Sequence, residues 1–130
     1  MKITQQRVEG ANLIRRYGAD FIVVGEEEIR GSCIVTAATL ARDWPPRSVA
    51  ELTLPHLAPL FELQPEVVVL STGPSQIFPR AFLRAEFAKR KIGLEVMEIG
   101  AACRTYNVLI SEERNASAAI LLPGPPKGPE

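Results

Sequence analysis

A chain of 130 residues, 46% of them hydrophobic, is long enough for one domain with a real core and too short for two. Fifteen basic and fifteen acidic side chains give no net charge and a pI near 6.6, whereas nucleic-acid binders usually carry a basic face. We therefore expect no nucleic-acid partner. The first residues show no secretory signal and no apolar run is long enough for a membrane span, which predicts a cytoplasmic protein without membrane insertion.

The cysteines and the histidine are too few for redox or metal chemistry. Cys33 and Cys103 lie on different segments, and His56 is the single histidine. Two cysteines in a chain with an adequate core are typical of reduced cytosolic thiols, not of a disulfide framework. One histidine and two scattered thiols do not make a metal-ligand set. We therefore expect no metal and no cofactor.

The N-terminal part of the chain has the pattern of strands. Residues 1–12 are polar and predict a flexible N-terminus ahead of a single α/β domain over residues 13–122. Two arginines in the run 13–17 favour an edge strand. The β-branched run 20–24 and the returning run 29–37 are separated by a Gly-Glu-Glu turn, which predicts an antiparallel hairpin.

A Trp-Pro-Pro sequence beginning at Trp44 excludes regular structure over 40–48. Trp44 has two interpretations, a lid over the end of a sheet or an exposed contact for a partner. Thr53 then offers a helix N-cap and Pro55 a first-turn residue, and the apolar residues that follow recur at helical spacing. His56 lies on this short helix, where a solvated rim position is the default interpretation.

The second half of the chain has the order of a βαβαβ unit. Apolar runs at 67–70 and 94–99 each lead through a glycine-bearing loop into a helical pattern, and a third run at 116–122 closes the unit. This alternation is typical of parallel strands. The run 67–70 is apolar at four successive positions, as in a central strand covered on both faces. From Pro123 onward, the Pro/Gly-rich residues 123–130 predict a disordered tail.

The two helices of this unit can be outlined from their apolar residues. The first is expected to start near Pro79 and to end at Gly93 as its C-cap. Its buried stripe is predicted to consist of Phe82, Leu83 and Phe87, and its basic residues to form a solvated face or a surface for an acidic partner. The second is expected over 103–112.

In a parallel sheet, ligands bind beyond the carboxyl ends of the strands. The loops after 67–70 and 94–99 would there bring hydroxyls, free backbone N–H groups and one arginine to a small anion or carboxylate. The candidate ligand residues are Ser71, Thr72, Gly73, Ser75, Cys103, Arg104 and Thr105. The alternative for the first loop is a plain turn, since neither a phosphate-loop motif nor a dinucleotide motif is present. Cys103 has two interpretations: a reactive thiol whose pKa is lowered by the helix N-terminus, or a small buried residue.

The stretch from Glu95 to Asn107, with its Ala-Cys-Arg-Thr-Tyr-Asn sequence, resembles a known family of small domains of unknown function. That family includes the mitochondrial NADH:ubiquinone oxidoreductase (complex I) assembly factor 3 and the adipogenesis-associated single-domain protein. The strand and loop ending in Ser71-Thr72-Gly73 is also similar, although Ser71 stands where the family commonly has glycine. The resemblance implies a three-layer domain with a central mixed sheet, helices on one side and the N-terminal β-hairpin layer on the other.

The resemblance also implies a function without catalysis. We expect a protein-interaction or assembly-factor-like protein with no catalytic residue, an unidentified protein partner and a partner surface around Trp44 and Phe78. The alternative, from another class, is a small-anion binder or enzyme that uses the crevice at the ends of 67–70 and 94–99. A purely structural module is the third interpretation. The sequence leaves open whether the chain is a monomer or a dimer.

Overall fold

The computed structural model describes residues 10–124. Most of the predicted flexible N-terminus and of the predicted tail lies outside these residues. The elements follow the chain in the order β1 Ile14–Gly18, β2 Phe21–Val24, β3 Glu27–Ile29, β4 Gly31–Thr36, β5 Leu40–Ala41, a 3-10 turn Val49–Glu51, α1 Leu54–Glu62, β6 Val67–Ser71, α2 Ala81–Lys89, β7 Gly93–Met97, α3 Ile99–Ser111 and β8 Ala116–Pro123. No helix among the described residues is both long and apolar enough to cross a membrane.

The strands form two sheets. β1, β2 and β3 make an antiparallel sheet in that order, and the other five strands make a mixed sheet in the order β5-β4-β8-β6-β7. β6 is parallel to β7 and β8, whereas β4 is antiparallel to β5 and β8. The predicted α/β class with a central mixed sheet is confirmed. The strand in the middle of this sheet is β8, which is buried along all but its last residue. The run 67–70, predicted to be the central strand, forms β6 between β8 and β7.

The predicted hairpin is correct only for its first few pairs. β2 and β3 pair through Ile22 and Ile29, but the chain then leaves this sheet, and β4 pairs with β8 instead. The assignment of the whole run 29–37 to the hairpin is therefore wrong. The physical reason is burial: β4 is buried at four successive residues and needs cover on both faces, whereas two of the three residues of β3 are exposed. The short β5 likewise contradicts the exclusion of regular structure over 40–48.

Two apolar cores lie on opposite faces of the five-stranded sheet. On β8, the residues Ala118 and Ile120 face one core together with α3 and the small sheet. Ala119 and Leu121 alternate to the other core, which contains the buried residues of α1 and α2. The small β layer therefore shares its side of the sheet with α3, while α1 and α2 cover the other side.

The second and third helices differ from the sequence prediction in the buried face of α2, in the end of α2 and in the start of α3. Phe82 is 54% exposed, because only Leu83 and Phe87, four residues apart, lie on the buried face of α2. The turn after α2 places Lys91, not Gly93, in the left-handed region with φ 58°, and Gly93 already begins β7. Helix α3 begins at Ile99 and not near 103, because the Glu98 side chain caps its first turn by accepting the Ala101 N–H.

Candidate functional site

The loops that follow β6 and β7 meet in the structure, because the two strands are parallel neighbours. The Thr72 N–H donates to the Met97 carbonyl over 2.9 Å, and the Ile99 N–H donates to the Gly73 carbonyl over 2.8 Å. Gly73 has a φ of 102°, a conformation that glycine adopts without strain. The crevice proposed from the sequence thus contains two loops that are hydrogen-bonded to each other.

The Thr72 hydroxyl fixes the first loop from inside. It donates to the Ser75 carbonyl over 2.6 Å and accepts the Ile77 N–H over 3.1 Å. Ser75 itself is exposed, whereas Ser71 is fully buried and its hydroxyl has no partner among the described residues. The threonine hydroxyl is therefore used by the chain itself.

The N-terminus of α3 already carries an anion. Both carboxylate oxygens of Glu98 lie 3.0 Å from the Ala101 N–H, which donates to them. A side chain at Gly100 would place its Cβ 2.7 Å from a Glu98 oxygen, so the glycine permits this close capping contact. Because a helix N-terminus favours a negative charge, Glu98 occupies the position that an anionic ligand would take.

Arg104 and Thr105 follow the capped turn. The Arg104 guanidinium donates to the Tyr17 hydroxyl over 2.6 Å, and this pair is exposed. Thr105 is half-buried and adds no hydrogen bond of its own among the described side chains. The arginine expected to bind a ligand therefore contacts the small sheet through β1.

The cysteine of the candidate site is a buried thiol. Cys103 is 1% exposed, and burial, followed by the nearby Glu98 carboxylate, raises its pKa to about 12, while Arg104 lowers it by less. Burial and the neighbouring Cys103 also raise the pKa of Cys33 to about 12. Of the two interpretations of Cys103, the small buried residue describes it, because desolvation of the thiolate and the Glu98 carboxylate raise the thiol pKa.

Two residues considered at the sequence level have structural roles. Trp44 is 6% exposed and its indole N–H donates to the His56 carbonyl over 3.0 Å, so its assignment to a partner surface is wrong and the lid interpretation describes it. The His56 Nδ1 accepts the Thr53 N–H over 3.0 Å and so caps α1. Phe78, the other residue of the predicted surface, is 61% exposed.

The motif that carries the family resemblance attaches α3 to the small sheet. The Asn107 side chain accepts the Ile14 N–H over 2.9 Å and donates to the Ile14 carbonyl over 2.8 Å. The Tyr106 hydroxyl donates to the Asn12 carbonyl over 2.8 Å. Sequence reasoning assigned neither Tyr106 nor Asn107 a contact. An amide beside the buried stripe of a helix was the available signal, because a half-buried amide needs partners.

A groove between α2 and β7 was not predicted from the sequence. It encloses about 420 Å³ and is lined by Arg84 and Phe87 of α2, by residues 94–96 of β7 and by Phe78 from the segment before α2. Ile77, Phe78 and Phe82 are 49%, 61% and 54% exposed, respectively. No group of three or more His, Cys, Asp or Glu side chains within residues 10–124 is arranged to hold a metal.

Comparisons with known proteins agree with this fold. A family model described as "Protein of unknown function (DUF498/DUF598)" matches residues 14–121. NADH dehydrogenase (ubiquinone) 1 alpha subcomplex assembly factor 3 of Danio rerio is 30% identical over 95% of this chain and 71% of its own length. A 13 kDa major membrane protein of Francisella tularensis is 23% identical over 93% of this chain and 99% of its own length. An NMR structure of a Xanthomonas campestris protein superposes with a TM-score of 0.84 and 32% identity, covering 100% of this chain and 98% of that one.

Proposed function

This chain belongs to the DUF498/DUF598 family, and we propose that it works without catalysis, by holding a partner protein during the assembly of a larger complex. The observation that carries the proposal is the similarity, over nearly the whole chain, to a relative whose name says that it is an assembly factor. By that analogy, the proposed client is a subunit of NADH dehydrogenase.

The distribution of exposed apolar residues supports a protein partner. Ile77, Phe78 and Phe82 lie close together in the chain around the start of α2, and each exposes about half of its side chain or more. Exposed aromatic residues that cluster beside a groove mark interaction sites more often than those that stand singly. The proposed partner surface is therefore formed by Ile77, Phe78 and Phe82, in place of the pair of Trp44 and Phe78.

The same proposal places the protein in the cytoplasm, as a monomer or dimer that meets its client there. Both thiols are free and buried, which suits a reducing compartment. Cell fractionation tests this part: recovery of the chain with the membrane fraction after a high-salt wash would contradict it.

Deletion and capture test the assembly role. In cells that lack this protein, we expect less assembled NADH dehydrogenase on a native gel, restored by the wild-type gene and not by Phe78→Ser. The matched control is Val108→Ser, which removes an equally exposed apolar side chain (55%) from α3. Unchanged NADH dehydrogenase in the deletion strain would contradict the assembly role. Full rescue by Phe78→Ser would contradict the surface.

A further inference from the structure

Strand β7 is an edge of the five-stranded sheet with backbone groups that meet no other strand among the described residues. The Gly93 N–H donates to the Glu66 carbonyl, and the Met97 carbonyl accepts the Thr72 N–H, both over 2.9 Å. Since bonding alternates along a parallel pair, Leu94 and Val96 point their N–H and C=O groups away from β6. The Gln76 side chain donates to the outward carbonyl of Val96 over 2.9 Å and so occupies that group. The outward groups left for another strand are therefore the N–H and C=O of Leu94 and the N–H of Val96.

The groove runs along this edge. Consecutive residues 94–96 line it, and its apolar wall contains Phe78, Phe87 and Ile92. The side chains of Leu94 and Val96 belong to the core on the α2 side. A strand added to β7 would therefore place every second side chain over the apolar wall, while its backbone bonds to both groups of Leu94 and to the N–H of Val96.

Helix α2, which forms one wall of the groove, is basic, and its Arg84 lines the groove. Residues 80–91 contain five basic side chains and one acidic one, Glu86, which already pairs with Lys89 and Arg90. Arg84 lines the groove, and its Nε donates to the Pro79 carbonyl, while Arg80 lies over the Phe82 ring at 5.8 Å. Neither arginine pairs with a carboxylate among the described residues. Glu95 is the one acidic residue that lines the groove. Because it alternates with Leu94 and Val96 along β7, its side chain projects from the face opposite to α2.

We propose that β7 and the α2 groove bind an extended segment of the partner protein, which adds to the sheet as a strand with apolar side chains in the groove and an acidic side chain beside Arg84. Charge complementarity supports this choice of partner segment. Acidic side chains are favoured on the face of the added strand that lies beside α2, whereas Glu95 repels them on the opposite face. The inference rests on the proposed function, because it specifies the chemistry of the client segment.

A synthetic peptide tests strand addition directly. The probe is the capped heptapeptide Glu-Thr-Val-Thr-Ile-Thr-Glu, which puts its apolar and acidic residues on one face of a strand. Titration into the isotopically labelled protein is expected to shift the amide resonances of Leu94 and Val96. N-methylation of one alternate set of amides should abolish binding, and N-methylation of the other set should not, because a strand bonds through alternate residues. The critical set is the valine and isoleucine amides if the peptide adds antiparallel to β7, and the threonine amides if it adds parallel. Equal binding of both methylated peptides would overturn the proposal, as would no binding at millimolar peptide.

Charge reversal tests the acidic preference. Arg84→Glu should weaken binding of the glutamate peptide about fivefold and strengthen binding of a lysine-for-glutamate peptide. The matched control is Arg16→Glu on the small sheet, which makes the same change in net charge and should leave both affinities unchanged. Equal effects of the two variants would show a long-range charge effect and would overturn the assignment of Arg84.

The oligomeric state tests whether a second copy of the chain occupies the groove. Sedimentation of the full chain is expected to show no self-association that depends on the groove. A dimer that Phe78→Ser and Arg84→Glu both dissociate would overturn the proposal in favour of a second copy of the chain as occupant. If deletion lowers assembled NADH dehydrogenase but the peptide does not bind, the strand-addition proposal alone fails. If the deletion has no effect while the peptide binds, the assembly role alone fails.

Discussion

The carboxyl ends of β6 and β7 and the outer edge of β7 lie on the same pair of strands, yet they differ in what remains unsatisfied. At the strand ends, Thr72 bonds within its own loop and the Glu98 carboxylate caps α3. Along the edge, Leu94 offers backbone groups to a groove beside the half-exposed Phe78. Polar residues at strand ends are thus a weak indication of a ligand when the chain itself supplies their partners, whereas an unpaired edge keeps its bonding capacity for another molecule.

The largest expected contrast is between two aromatic truncations. Tyr106→Ala should lower the free energy of unfolding by about 3–5 kcal/mol, because the ring is fully buried and its hydroxyl bonds the Asn12 carbonyl. Phe78→Ala should change it by less than about 0.5 kcal/mol, because 61% of the side chain is exposed. Urea denaturation measures both. If both variants lost a similar free energy of unfolding, Phe78 would be part of the packed core and not of a surface at the groove.

Alkaline pH should weaken the core beneath α3. Burial raises the pKa of both Cys33 and Cys103 from the ordinary 9.0 to about 12. The neutral thiols therefore contribute stability that is fully present below about pH 9 and is lost as the pH rises towards about 12. Burial raises the pKa of Tyr106 as well, which acts in the same direction. The urea midpoint should fall over this range.

The matched control for this pH dependence is the double variant with alanine at both cysteines, whose midpoint should fall less. In the native protein at about pH 8, neither thiol should react with a disulfide reagent, and both should react in urea. Rapid labelling of Cys103 in the native state would contradict the structural interpretation and would restore the thiol as a candidate site residue.

Removal of the Glu98 cap should lower the free energy of unfolding by less than removal of the Tyr106 ring. Glu98→Ala is expected to lower the free energy of unfolding by about 1 kcal/mol, because the Ala101 N–H loses its partner. It should also make the protein sensitive to added sulfate, which can enter the vacated position, while the wild-type protein should be insensitive. Glu95→Ala on β7 is the control, with no cap to lose. Strong stabilisation of the wild type by sulfate would show an anion site that Glu98 does not fill.

The smallest effect on the free energy of unfolding is expected for a substitution of Arg104. Arg104→Ala should cost less than about 1 kcal/mol, because its bond to the Tyr17 hydroxyl is exposed. Thermal-shift measurements against phosphate, nucleotides and carboxylates should give the same small shifts for the wild type, for this variant and for Arg16→Ala. A ligand-dependent rise in melting temperature that Arg104→Ala alone abolishes would move the proposed function from the edge of β7 to the strand ends.

Local sequence patterns predicted an element correctly where a single capping residue or a single run of apolar residues determines it. Thr53 and Pro55 mark the start of α1 as predicted, and the four apolar residues from Val67 indicate a strand buried on both faces. The same reasoning failed at Phe82 and Gly93, where packing of α2 and not local propensity fixed the buried face and the helix end. For the candidate site, the residues at the strand ends were found but their partners were not.

The sequence by itself determined the α/β class, because alternating apolar runs and helical patterns specify elements that can bury their faces in one way. Only the tertiary structure decided that β4 leaves the hairpin for β8, that Trp44 is buried, and that β7 ends the sheet. It also decided that Arg104 bonds Tyr17, which lies 87 residues away. Such pairings depend on which surfaces remain uncovered once the sheets have packed, and spacing along the chain carries no information about that.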